Sequence, residues 1–123
     1  MKKWSVILIL IAAVSGCYYD NEERLYPDLN SNCDTTGITW SGTIRPILQT
    51  NCLSCHSSAE NAANGGNIDL ESFASVKTRV EQGSLLGAMR HESPWSPMPK
   101  GGNKLDDCSI TKVRIWIENG AKE

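Results

Sequence analysis

The chain carries no excess of positive charge; its formal net charge is −2. The basic footprint that nucleic-acid binding needs is therefore missing. No hydrophobic run is long enough to cross a bilayer. The unbroken apolar stretch, Val6 to Val14, stops well short of the ~20 residues a spanning helix needs. Nor is there the alternation of strand and helix patterns that would put a cysteine pair in a thioredoxin-like setting. Only Ile68-Asp69-Leu70 hints at strand. Ten glycines and five prolines among 123 residues argue against a long helical bundle. At that length the chain holds at most one small domain, which excludes a multidomain enzyme and, by the same arithmetic, a large ligand cavity. Cysteine is not scarce. Five in so short a chain point to an oxidising compartment, a metal or a covalent cofactor. A small core commonly needs such a staple.

The beginning of the chain reads as an address. Lys2 and Lys3 precede the apolar run, and the small residues Ser15 and Gly16 lead to Cys17. Val14-Ser15-Gly16-Cys17 resembles the bacterial lipobox, in which the cysteine is acylated and becomes the mature N-terminus. Residues 1–16 are then a lipoprotein signal peptide, and several acyl chains on Cys17, at about 0.8 kcal/mol per buried methylene, would anchor the chain stably. Tyr18 is not the aspartate that retains some lipoproteins at the inner membrane. The acidic cluster Asp20, Glu22 and Glu23 resembles the surface-export signal of Bacteroidetes lipoproteins, or is simply solvated. Residues 17–32 lack apolar periodicity and read as a lipidated, flexible tether, leaving 33–123 as the domain.

Cys52-Leu53-Ser54-Cys55-His56 is a C-x-x-C-H, the attachment signature of c-type haem. In that chemistry the two thiols add across the vinyl groups on one porphyrin edge, and the histidine next in sequence is the proximal iron ligand. A zinc site competes for the same residues: Cys52, Cys55 and His91 with one remaining cysteine would make a ligand set, but the usual second ligand pair is missing. A disulfide between Cys52 and Cys55 would be strained.

Elsewhere the apolar spacing is helical. Ile44, Ile47 and Leu48 share a face, which predicts a short helix from about Gly42 to Thr50, capped by Ser41 or Thr43, with Pro46 in its first turn. Asn64-Gly65-Gly66-Asn67 reads as a turn. Phe73, Val76 and Val80 predict a helix stopped at Gly83, and Leu85, Leu86 and Met89 a further short one. Ile110, Val113 and Ile117 predict a last helix, capped by Asp106 and ended by Gly120. The expectation is an all-α fold of three to five short helices and long loops, in which a large apolar cofactor stands in for missing core.

From Trp40 to Ala121 the chain resembles a class I cytochrome c domain, in particular the small haem domains of Bacteroidetes and Planctomycetes. The matching residues are Ile44 to Leu48, Asn51 to His56, Ile68-Asp69-Leu70, Ser96-Pro97-Met98-Pro99-Lys100-Gly101-Gly102 and Leu105 to Ala121. The resemblance implies a small cytochrome c-like fold around one covalent haem c. Its first and last helices cross near perpendicular, setting Ile44, Ile47 and Leu48 against Ile110, Val113 and Trp116. Trp116 reads as core. Trp40 and Trp95 stay open between covering a haem edge and an ordinary core or surface place.

The residues leave Met89, His91 and Met98 as candidate distal ligands. Met89 shares an apolar face with Leu85 and Leu86 and reads as core. His91 would give bis-histidine ligation, or stands on the surface or beside a propionate. Met98 lies between Pro97 and Pro99, which fix the backbone, and Gly101-Gly102 behind it allow close approach. The family uses the methionine of this loop, so the resemblance implies Met98. Lipid at Cys17 and haem at Cys52 and Cys55 leave Cys33 and Cys108. If the first and last helices pack as the resemblance implies, those two meet in a disulfide.

The function implied is one-electron transfer rather than catalysis, since methionine and histidine together fill both axial positions. The carrier would be a monomer, held to the membrane by its N-terminal lipid at the outer membrane or cell surface of a Gram-negative bacterium. It would meet redox-partner proteins in brief encounters of small area and would bind no nucleic acid. Two rivals remain: a haem enzyme or gas sensor with an open distal position, and a stapled surface lipoprotein with no redox role.

Overall fold

In a computed structural model of the protein, residues 33–123 are described. The signal peptide of 1–16, the lipid at Cys17 and the tether of 17–32 lie outside the described residues. Among the described residues there are five α-helices and no strand. The helices are α1 (Arg45–Asn51), α2 (Leu53–His56), α3 (Phe73–Glu81), α4 (Ser84–Met89) and α5 (Asp107–Glu118), and a π-helical turn at Trp40–Ile44 runs straight into α1. None is long and apolar enough to cross a membrane.

The π turn follows from Pro46. In a regular α-helix the pyrrolidine ring would strike the carbonyl four residues back, at Gly42, and Pro46 has no N–H to donate. Widening the preceding turn avoids the clash: Ile44 N–H reaches Thr39 O at 3.1 Å, and Arg45 N–H bonds to Trp40 O. The helical segment therefore starts earlier than the apolar spacing predicts, and its cap is neither Ser41 nor Thr43. Thr39 caps it, its Oγ1 accepting from Gly42 N–H at 3.1 Å.

The other helices begin and end as their local chemistry directs. Ser72 caps α3 through Ser75 N–H at 3.1 Å. Gly83, at φ 72°, supplies the left-handed turn between α3 and α4 that other residues resist. Asp106 caps α5 by accepting from Ser109 N–H at 2.8 Å. At the far end Gly120 N–H returns to Ile117 O and Ala121 N–H to Trp116 O, both at 2.9 Å, which is the paired closure of a Schellman motif. Lys77 of α3 donates from Nζ to Gly120 O at 3.0 Å, tying α3 to that end of α5.

Side chains from the π turn, α3 and α5 make the centre of the core. Trp40 stacks on Trp116 with ring centroids 5.8 Å apart, and Phe73 meets Trp40 edge-on at 5.4 Å. Trp40 is thereby a core residue. Ile44, Leu48, Val76 and Val113 are the most completely buried large side chains, each contributing about 1.5–3 kcal/mol by leaving water. The π turn packs directly on α5. Ile47, expected on the same face as Ile44 and Leu48, is only partly buried.

A disulfide joins Cys33 to Cys108 in the first turn of α5, with α-carbons 5.5 Å apart, inside the range a bridge needs. It closes a separation of 75 residues, so nearly the whole described chain lies within one covalent loop.

Candidate functional site

Away from the aromatic cluster the domain encloses a cavity of about 540 Å³. Two stretches of chain line it. The first wall comes from Cys52, Cys55, His56, Gly65, Ile68 and Leu70; the second from Leu85, Ala88, Met89, Trp95, Met98 and Leu105, among others. A cavity in the size range of cofactor sites corrects the expectation that so short a chain holds none. That arithmetic counted helix packing, whereas here loops 57–72 and 90–106 supply much of the enclosure.

The first wall is built on one turn of helix. His56 N–H bonds to Cys52 O at 2.9 Å, closing α2. Positions i, i+3 and i+4 share a helix face, so Cys52, Cys55 and His56 come to one side. Both thiols are free; Cys55 is exposed and Cys52 half-buried. Burial pushes the Cys52 thiol up to about 11, so it is protonated at neutral pH and a weak nucleophile by itself.

His56 is the buried polar residue of the core, 9% exposed. Its Nδ1 lies 2.9 Å from Ile68 O. A carbonyl can only accept, so Nδ1 is the donor and Nε2 is the nitrogen left outside that bond. A backbone bond runs alongside, Leu70 N–H to His56 O at 2.8 Å. The stretch that hints at strand in the sequence is thus an extended strut holding the imidazole. Gly65 packs beneath it: a Cβ there would overlap the Cys55 carbonyl and sit 2.9 Å from His56 Nδ1.

In the second wall Met98 is half-buried and lines the cavity. Its N–H donates to Ala88 O and its carbonyl accepts from His91 Nε2, each at 3.0 Å. His91 is not among the residues lining the cavity. Met89 is core, 3% exposed, and borders the cavity as well. Trp95, 37% exposed, lines the cavity and lies flat enough on Gly87 that a Cβ there would come within 2.6 Å of its Nε1. The charged side chains of the lining are Arg79 and Lys100, both cationic.

These residues fit a haem c group. Two free thiols stand beside an imidazole whose Nδ1 is already satisfied, as iron-ligating histidines commonly are. A thioether and a largely apolar lining complete the donor set. The zinc alternative loses ligands, because Cys33 and Cys108 are bonded to each other. Among the described residues no three of His, Cys, Asp and Glu converge as a cation site. Sequence reasoning did not reach three parts of this site: the Ile68 carbonyl, the packing of Gly65, and the bond from His91 to Met98. The residues left traces, Gly65 in a turn, Ile68 in a strand-like stretch and His91 as a candidate ligand, but the contacts they make did not.

The described residues form a small all-α domain, stapled by the Cys33–Cys108 disulfide and hollowed beside a C-x-x-C-H turn. No family model, curated protein or solved structure matches it.

Proposed function

We propose that the protein is an exported, lipid-anchored one-electron carrier with a cytochrome c-like domain at 33–123. In this reading Cys52 and Cys55 hold one haem c covalently, His56 is the proximal ligand through Nε2, and Met98 is the distal ligand. The observation that carries it is the hydrogen bond from His56 Nδ1–H to Ile68 O within a cavity that also takes in both free thiols and Met98. That bond fixes the tautomer and orients the imidazole before any ligand arrives.

When bound, the haem supplies an iron that cycles between ferrous and ferric states, at a higher potential with methionine than with a second histidine. The chain's own residues do the rest. Ile68 and Gly65 keep the imidazole from turning. The Pro97-Met98-Pro99 backbone presents the thioether, and Leu70, Leu85, Met89 and Leu105 give the cavity an apolar lining. Arg79 and Lys100 offer positive charge to carboxylates at its rim. With His56 and Met98 both given to the iron, the site would leave no place for a substrate and would transform none. The domain acts as a monomer and meets redox partners briefly, while Cys17 carries the lipid that holds it at the outer membrane or cell surface.

The test is production of the full chain in bacteria with a c-type haem maturation system. The expected product is red and keeps its haem mass after denaturation; a colourless product overturns the reading in favour of a stapled lipoprotein. Carbon monoxide then separates carrier from sensor. The reduced protein should resist it, and Met98→Ala should bind it readily and lose the red charge-transfer band of ferric thioether ligation. Rapid binding by the unaltered protein would point to an open distal position instead.

A further inference from the structure

We infer that His91 is a positioning residue for Met98: its imidazole, fixed just past the end of α4, holds the Met98 carbonyl and so sets where the thioether stands. The inference rests on the haem reading above and deepens its distal side.

The argument begins with Pro97 and Pro99, which fix φ on either side of Met98 but have no N–H to give. Across Pro97-Met98-Pro99 the backbone donor is therefore the Met98 N–H alone. It is used on Ala88 O at 3.0 Å. The same Ala88 carbonyl accepts His91 N–H at 3.2 Å where α4 ends, so one carbonyl gathers both the chain's exit from the helix and its return at Met98. His91 itself takes the left-handed conformation, φ 59°, which few residues with a side chain adopt. From there its Nε2 lies 3.0 Å from Met98 O.

A carbonyl only accepts, so Nε2 of His91 carries a proton and is spent. That nitrogen is not free to ligate iron, and the residue lies outside the cavity lining. What it does instead is complete the grip on Met98. Both halves of the Met98 backbone, N–H and C=O, are held by the C-terminal end of α4. A methionine side chain has three rotatable bonds and little stiffness of its own. Its reach toward a ligand is fixed chiefly by where its backbone is held.

The experiment compares His91→Phe, which keeps a ring of similar shape and no donor, with His91→Gln, which keeps a donor. Each is made in the full chain and matured with haem. Free imidazole is titrated into the ferric protein to displace the thioether, with the red charge-transfer band as readout and thermal midpoint recorded alongside. His91→Phe should bind imidazole about fivefold more tightly, the scale of one neutral hydrogen bond. His91→Gln should stay within about twofold of the unaltered protein. Equal imidazole affinity in all three proteins overturns the inference and leaves the haem reading intact. Equal tightening in both variants also overturns it, since the hydrogen bond would not be the cause. Absence of covalent haem from the unaltered chain overturns the haem reading and this inference together.

Discussion

The first wall of the cavity takes its chemistry from Cys52 to His56, five consecutive residues on one helical turn. The second wall takes its own from Met98, whose place depends on bonds to Ala88 of α4 and to His91 just past its end. The first is short-range and over-determined: backbone bonds within α2, the Ile68 strut and the closed space at Gly65 all fix the same imidazole. The second rests on two hydrogen bonds and a pair of prolines. A wall fixed by many bonds suits attachment, while a wall held by few bonds opens at lower cost.

The largest break in that comparison is Cys52→Ala with Cys55→Ala. It should abolish covalent haem entirely, seen as a missing haem mass after denaturation, whereas Met98→Ala should keep the mass and lose only thioether ligation. Retention of covalent haem by the double variant would refute the division of labour between the walls.

Next comes the frame both walls share. Cys33→Ser with Cys108→Ser opens a loop of 75 residues, and the chain-entropy argument assigns such a closure about 4.5 kcal/mol. Urea unfolding should show a loss of that order. The charge-transfer band of the folded protein should be unchanged, because neither cysteine lines the cavity.

A smaller effect should strike the first wall alone. Gly65→Ala places a methyl against the Cys55 carbonyl and 2.9 Å from His56 Nδ1. Backbone has to move, at a cost of about 1–3 kcal/mol. The expected signature is a lower thermal midpoint together with loss of the slowly exchanging His56 Nδ1–H resonance. A Gly65→Ala protein as stable as the original would show that the strut is looser than it looks.

The smallest effect lies outside both walls. Hydrogen bonds from the Ser109 side chain and backbone hold the Asp106 carboxyl below the usual carboxylate range. The folded value is thus below the unfolded one. The stabilisation is fully present above the unfolded value of about 4 and drains away as pH falls through the folded one. Asp106→Ala should cost about 1 kcal/mol at neutral pH, as caps do. The gap between the two proteins should stay level above about pH 5 and narrow below it, as followed by urea unfolding across that range.

Much of the helical frame was legible because it rests on neighbours in sequence. Phe73, Val76 and Val80 recur at the helix period, Asp106 stands where a cap belongs, and Gly83 and Gly120 sit at stops; each signal spans about two turns or less. The same holds for C-x-x-C-H, where spacing alone puts three functional side chains on one face. The start of the first helix was harder, since the π turn forced by Pro46 moves the cap back to Thr39.

The helical character of the described residues, the apolar stripes that form the core, and the turn bearing both thiols and His56 are written in the order of residues alone. These depend on hydrogen bonds and side-chain spacings within four or five residues. It took the fold to bring Ile68 O to His56 Nδ1–H across 12 residues, to set His91 against the Met98 carbonyl, and to wall a cavity with two loops. Those choices are made by loop backbone, which has no period to read. A carbonyl in a loop looks alike at every position until the fold brings a donor to it.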